Sequence, residues 1–263
     1  MIGGNPLINL IANGEWKRAG QMIEENGNLV RKWSVAPSLT GGVAAADILP
    51  LHQACKMSDV TIPLLESLLW AYPESVRKRE TGFRRLPLHI AIRARAPDDV
   101  IFFLLEKYPD AAAVQDVLGR VPLHYAISNF SPMSTIRTLI EVCPATARAS
   151  DNLGWTPLHV AANTARSAEM VEVLLERGSE AVVSVTKKGN TPLMCVKMSN
   201  GPDRELINTI LSEEIKKFEK TAYFKNYREA ENKAVDNGIP PPTPTRFWGL
   251  RKLKRSNSFR LVV

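Results

Sequence analysis

An all-α solenoid of about six stacked helix–turn–helix repeats is the architecture this chain predicts, and three periodic features predict it. All four histidines stand in one local phrase: Leu49-Pro50-Leu51-His52, Leu86-Pro87-Leu88-His89, Val121-Pro122-Leu123-His124 and Thr156-Pro157-Leu158-His159, at gaps of 37, 35 and 35 residues. Thr191-Pro192-Leu193-Met194 repeats the phrase 35 residues further on, with Met in the histidine slot. Gly119, Gly154 and Gly189 recur at the same 35-residue step, and Pro73, Pro109 and Pro144 at 36 and 35. Such a period marks a structural unit too small to bury its own apolar face, which it buries against its neighbours instead.

Taken along the chain, Asn5-Pro6-Leu7 opens a first repeat, with Ile8 where His stands later, Leu10 in the later Ala slot, and Ala12-Asn13-Gly14-Glu15-Trp16 as the inter-helix turn. From Pro6 to Pro50 is 44 residues, so about ten extra residues are expected to loop out around Ser38-Leu39-Thr40-Gly41-Gly42. In each later repeat a short apolar helix follows Pro-Leu-His, then a turn and a longer apolar helix. Ser131 is expected to cap one second helix with Pro132 at its first position, and Ser167 to cap the next. Met170, Val171, Val173, Leu174 and Leu175 supply that next helix with core, as Phe103, Leu104 and Leu105 do earlier. The prolines just past the second helices stop them, because proline cannot readily continue a helix.

No Gly or Pro interrupts residues 203–235, and Ile207, Leu211, Ile215, Phe218 and Ala222 step by 4, 4, 3 and 4 along one helical face. A helix of that length runs about 50 Å at 1.5 Å per residue. Asn237-Gly238 suits its C-cap, with Pro240 beyond. Pro240-Pro241-Pro242-Thr243-Pro244 then reads as a stiff linker.

The x-Pro-Leu-His phrase, with Ala54, Ala91, Ala126 and Ala161 two residues after each histidine, resembles the Thr-Pro-Leu-His-x-Ala signature of ankyrin repeats. Tyr72-Pro73-Glu74-Ser75 and Tyr108-Pro109-Asp110-Ala111 are most similar to divergent ankyrin-repeat proteins of diatoms and related algae. The resemblance covers residues 1–215, with repeats opening near residues 5, 49, 86, 121, 156 and 191. Residues 203–236 form a long helix continuing the last repeat, 237–245 a Pro-rich linker and 246–263 a basic amphipathic tail. The resemblance implies a non-enzymatic scaffold or adaptor, with His52, His89, His124 and His159 holding turns by hydrogen bonding.

The formal charge of +7 lies mostly in that tail: Arg246, Arg251, Lys252, Lys254, Arg255 and Arg260 follow Asp236 with no acid among them, leaving +1 for residues 1–236. Cys55, Cys143 and Cys195 make no even framework, which suits a reducing compartment. No signal peptide or spanning segment is expected, and Asn129-Phe130-Ser131 reads as a chance sequon. An intracellular protein, cytoplasmic or nuclear, is therefore the expectation, with peripheral membrane association through the tail as the alternative.

Catalytic and metal chemistry find no foothold. Neighbouring helices pack about 8–10 Å apart, whereas Zn–N bonds are about 2.0–2.1 Å, so successive histidines cannot share an ion. Cys55, three residues after His52, falls in a core slot where a thiol is inert. Lys187-Lys188-Gly189-Asn190-Thr191 lacks the spaced glycines of a phosphate loop. No cofactor, metal or small-molecule substrate is expected.

What remains is surface for a protein partner. Mapped from the family, a concave face takes Phe83, Arg84, Gln115, Asp116, Leu118, Arg120, Asp151, Leu153, Trp155, Lys187, Lys188 and Asn190 from the turns. Gln53, Lys56, Ile90, Arg93, Tyr125, Val160 and Asn163 join them from the first helices. Trp155 and Tyr125 are the aromatic candidates for anchors, and for Trp155 packing on the neighbouring turn is equally open. In the tail, Phe247, Trp248, Leu250, Leu253, Phe259 and Leu261 interleave with six cations, a pattern suited to an anionic membrane surface, nucleic acid or an acidic partner, or simply to a solvated end. Leu253, Arg255 and Ser258 resemble a basophilic kinase site, with Ser258 as the phosphate acceptor.

Overall fold

The computed structural model describes residues 5–36 and 46–236. Among them are six helix pairs: α1 (Pro6–Ala12) with α2 (Trp16–Glu25), α3 (Pro50–Lys56) with α4 (Ile62–Ala71), and α5 (Pro87–Ala94) with α6 (Asp98–Lys107). Then follow α7 (Pro122–Ser128) with α8 (Met133–Val142), α9 (Pro157–Thr164) with α10 (Ala168–Gly178), and α11 (Pro192–Met198) with α12 (Arg204–Asp236). The chain divides into two compact units, residues 1–211 and 212–263. In the first, α1, α3, α5, α7, α9 and α11 pack in sequence as one row, and α2, α4, α6, α8 and α10 as a second. The fold is all-α, as the period predicts.

Proline occupies the first turn of α3, α5, α7, α9 and α11, where its missing N–H leaves nothing unsatisfied. Leu51, Leu88, Leu123 and Leu158 are buried at 0–1% exposure beside Ala54, Ala91, Ala126 and Ala161. Truncating Leu123 or Leu158 to Ala should cost about 2–5 kcal/mol; an unchanged denaturation midpoint for both would break the alignment. Pro73, Pro109 and Pro144 do more than stop helices. Each opens a 3₁₀ turn, Pro73–Arg77, Pro109–Ala113 and Pro144–Arg148, that carries the chain to the next repeat.

Several expectations need correction. Pro132 is itself the N-cap of α8 at φ −52° and ψ 150°, and Ser131 does not cap it, because Phe130 ends the preceding turn in a left-handed conformation at φ 56°. Ser167 does cap α10, accepting the Met170 N–H at 3.1 Å. Phe103 is half-exposed, not core: Val100, Ile101, Leu104 and Leu105 fill the inward stripe of α6 and turn Phe102 and Phe103 outward. The looped-out segment around Ser38–Gly42 lies outside the described residues, as do the linker and tail. Its base is closed by an unforeseen antiparallel pair, β1 (Ser34–Ala36) with β2 (Ala46–Ile48).

Candidate functional site

The candidate site is the face formed by the turns between repeats and the first helices. Each histidine builds it from beneath. Its Nδ1 accepts the backbone N–H three residues earlier: Leu49 to His52 at 3.0 Å, Leu86 to His89 at 3.3 Å, Val121 to His124 at 3.3 Å and Thr156 to His159 at 3.2 Å. Its Nε2–H donates to a carbonyl in the following turn: Lys78 at 2.9 Å, Arg120 at 3.3 Å, Trp155 at 2.9 Å and Asn190 at 3.0 Å. A donor on one nitrogen and an acceptor on the other define a neutral ring and its tautomer. Burial pushes the rings down from the usual imidazole range, His52 and His89 to about 4. With both nitrogens engaged, no lone pair on these rings faces a metal.

The turns are held by a side-chain oxygen at a fixed place. Asp116 Oδ1 accepts the N–H groups of Leu118 and Arg120 at 2.9 and 3.0 Å, and Asp151 Oδ1 those of Leu153 and Trp155, both at 2.9 Å. Thr186 Oγ1 takes the same place, accepting the Asn190 N–H at 3.1 Å. In the longer turn before α5 the acceptor is Glu80, whose extra methylene reaches Gly82, Phe83 and Arg85 at 2.6, 2.8 and 3.1 Å. Successive turns are tied tip to tip, Val117 N–H to Phe83 carbonyl at 2.8 Å, Asn152 to Leu118 at 2.9 Å and Lys187 to Leu153 at 2.9 Å. The row of turns is thereby a single hydrogen-bonded strip.

One position in this strip requires a left-handed backbone. Gly119, Gly154 and Gly189 meet it at φ 76°, 79° and 79°, and a Cβ on Gly119 would sit 2.7 Å from the Asn152 nitrogen. Arg84 fills the slot in the first of these turns at φ 56°. Left-handed backbone costs a residue with a Cβ about 1–2 kcal/mol, part of which the freer unfolded glycine returns. Arg84→Gly should therefore raise stability by about 0.5–1 kcal/mol in chemical denaturation. A drop in the midpoint would contradict the strain.

The sequence-derived surface divides sharply. Leu118, Leu153, Lys187, Lys188, Gln115, Arg84, Lys56 and Asn163 are exposed, while Phe83, Arg93, Arg120, Trp155, Val160 and Asn190 are half-buried. Gln53, Ile90, Asp116, Tyr125 and Asp151 are buried at 2–7% exposure and offer a partner nothing. For the two aspartates the reason is the turn they hold. For Tyr125 it is a lid of arginines: the guanidinium carbons of Arg85, Arg93 and Arg120 lie 5.5, 5.1 and 5.8 Å from its ring. Its hydroxyl donates to Asp116 Oδ2 at 2.5 Å. The Trp155 ring lies 6.0 Å from the His159 ring, tilted by 56°, so it packs on its own repeat and keeps part of its surface free.

Arg85 was not foreseen. It is 1% exposed, 3.5 Å from Asp116 Oδ2 through Nε, and held between the rings of Phe83 at 4.1 Å and Tyr125. Its Nε and Nη1 have no hydrogen-bond partner. The available signal was alignment: Arg85, Arg120, Trp155 and Asn190 share the column two residues before each Pro-Leu, and Arg120 and Trp155 lean onto the first helix of their repeat.

Residues 123–222 match the family model for ankyrin repeats in three copies. No curated protein matches the chain.

Proposed function

Because the chain is an ankyrin-repeat protein, and such repeats are in general protein–protein interaction modules, we propose that it is a scaffold or adaptor binding an extended segment of a partner protein across the turn tips. One observation carries this reading. The tip column runs Phe83, Leu118, Leu153 and Lys188, with Leu118 39% and Leu153 57% exposed, on turns already tied to one another. Apolar side chains held in a row on a rigid strip bind without a large ordering cost. Trp155 and Lys187 flank the row, and Lys56, Arg93, Arg120, Val160 and Asn163 extend it over the first helices.

Partner capture from native lysate tests the reading, comparing the chain with a Leu118→Asp, Leu153→Asp double variant. Both positions are exposed, so the melting temperature should hold while the bound protein is lost. Retention of every partner by the variant would move the binding face elsewhere. An intracellular setting, cytoplasmic or nuclear, fits this role and is supported by the thiols of Cys55 and Cys195, both buried and unpaired.

A second reading concerns residues 246–263, whose six cations and interleaved aromatics suit an anionic membrane surface, nucleic acid or an acidic partner. Phosphate on Ser258 would add about −1.5 to −2 charges against them. Binding to anionic liposomes should be salt-sensitive, lost on truncation at Pro244 and weakened by Ser258→Asp. Equal binding by all three proteins would remove the tail from consideration.

A further inference from the structure

Among the described residues the most exposed aromatic lies on the second-helix row, away from the turns. Trp70, on α4, is 88% exposed. Its counterparts, three residues before the next 3₁₀ turn in α2, α6, α8 and α10, are Glu24, Glu106, Glu141 and Glu176, all exposed. A position that is solvated carboxylate in four helices is therefore tryptophan in one, and its burial contributes nothing to this fold.

Trp70 forms a ridge between two apolar grooves. One, of about 400 Å³, lies between α4 and α6 and includes Leu69 and Phe103. The other, of about 570 Å³, lies between α2 and α4 and includes Ile23. Glu66 lines both and Glu24 the second. Among the described residues neither carboxylate has an ion pair or hydrogen bond. The cation in the first groove, Lys107, is already paired with Glu106 at 2.9 Å and lies 5.1 Å from the Phe103 ring. The local chemistry is apolar with uncompensated negative charge.

We propose that this ridge is a second docking site, and that its occupant is a basic amphipathic helix of a partner protein. Packed helices stand about 8–10 Å apart, so grooves on either side of α4 are separated by about that distance. Two apolar side chains at i and i+7 of a helix lie about 10.5 Å apart at 1.5 Å per residue. They would seat in the two grooves while small residues between them clear the Trp70 indole. Lysine or arginine beside that stripe would meet Glu66 and Glu24. The site is independent of the turn-tip reading and shares no residue with it.

The test uses the full chain and two fluorescent 18-residue helical peptides. Both carry leucines seven apart with alanines between; one has lysines on its flanks and the other glutamates. The lysine peptide should bind, and the glutamate peptide should bind at least about tenfold more weakly, a difference of about 1.4 kcal/mol. Trp70→Glu copies the residue of the four sister helices, so its melting temperature should match the parent while lysine-peptide affinity falls by about tenfold or more. Glu66→Lys should likewise weaken the lysine peptide. Unchanged binding by Trp70→Glu, equal binding of the two peptides, or no binding of the lysine peptide would overturn the proposal. So would a concentration-dependent dimer in sedimentation that Trp70→Glu dissolves, since the occupant would then be a second copy of this chain.

Discussion

Replacing Asp116 with Asn should cost the protein about 3–5 kcal/mol, the range for stripping one partner from a buried ion pair. The substitution keeps an oxygen for the Leu118 and Arg120 N–H groups, which Oδ1 accepts at 2.9 and 3.0 Å. What it removes is, among the described residues, the only carboxylate ion-paired with Arg85, both side chains being 0–2% exposed. Two of the guanidinium nitrogens already lack hydrogen-bond partners, so the cation would keep only the Phe83 and Tyr125 rings and one long hydrogen bond from Nη2 to the Tyr125 hydroxyl at 3.4 Å. Cation–π contacts contribute about 2 kcal/mol when desolvated, too little to hold a buried charge. Asp116→Ala should cost more, because the turn loses its acceptor as well. Adding Arg85→Met to Asp116→Asn should recover most of the loss, since a buried pair replaced by apolar packing is often neutral. Urea denaturation of the four proteins decides it. An Asp116→Asn variant as stable as the parent would show that the ion pair contributes nothing.

Acid should weaken the fold well before ordinary carboxylates titrate. Unfolded histidine has a pKa near 6.5, whereas burial holds His52 and His89 at about 4 and lowers His124 and His159. Between those values the unfolded chain binds more protons than the folded one, so stability declines as pH falls through the window and is full above about 6.5. At pH 5 each of His52 and His89 should account for about 2 kcal/mol of the loss. Physically, a proton on Nδ1 displaces the N–H that the ring accepts at the start of its own helix. His89→Gln should be less stable at pH 7.5, yet lose about 2 kcal/mol less than the parent on going to pH 5. Identical pH profiles for the two proteins would remove His89 as the source.

How much of this could be read from the chain follows from the range of each interaction. The histidine's first hydrogen bond reaches three residues back, and proline, glycine and the N-cap act within one turn. A local rule repeated at a fixed step is visible in the letters, and so the helix pairs, their number and the helix from Arg204 to Asp236 were all foreseen. The row of exposed leucines at 118 and 153 was visible for the same reason. The one extra residue between Lys78 and Arg85 that lengthens one turn was visible only as part of a gap of 37 in place of 35. That Glu80 would serve there for Asp116 depends on side-chain reach, which spacing does not record.

The tertiary structure alone decided which of the site residues face water. Tyr125 stands where a first-helix aromatic could serve an interface, but Arg85 from the turn before α5, Arg93 from α5 and Arg120 from the turn before α7 cover it. Trp70 is the converse case: composition reads a tryptophan as core, whereas the packing of α4 between α2 and α6 turns it outward to 88% exposure. Periodicity assigns a residue to a face of its own helix. Whether that face is covered depends on the lengths and charges of side chains arriving from neighbouring repeats about 35 residues away, and only their assembly settles it.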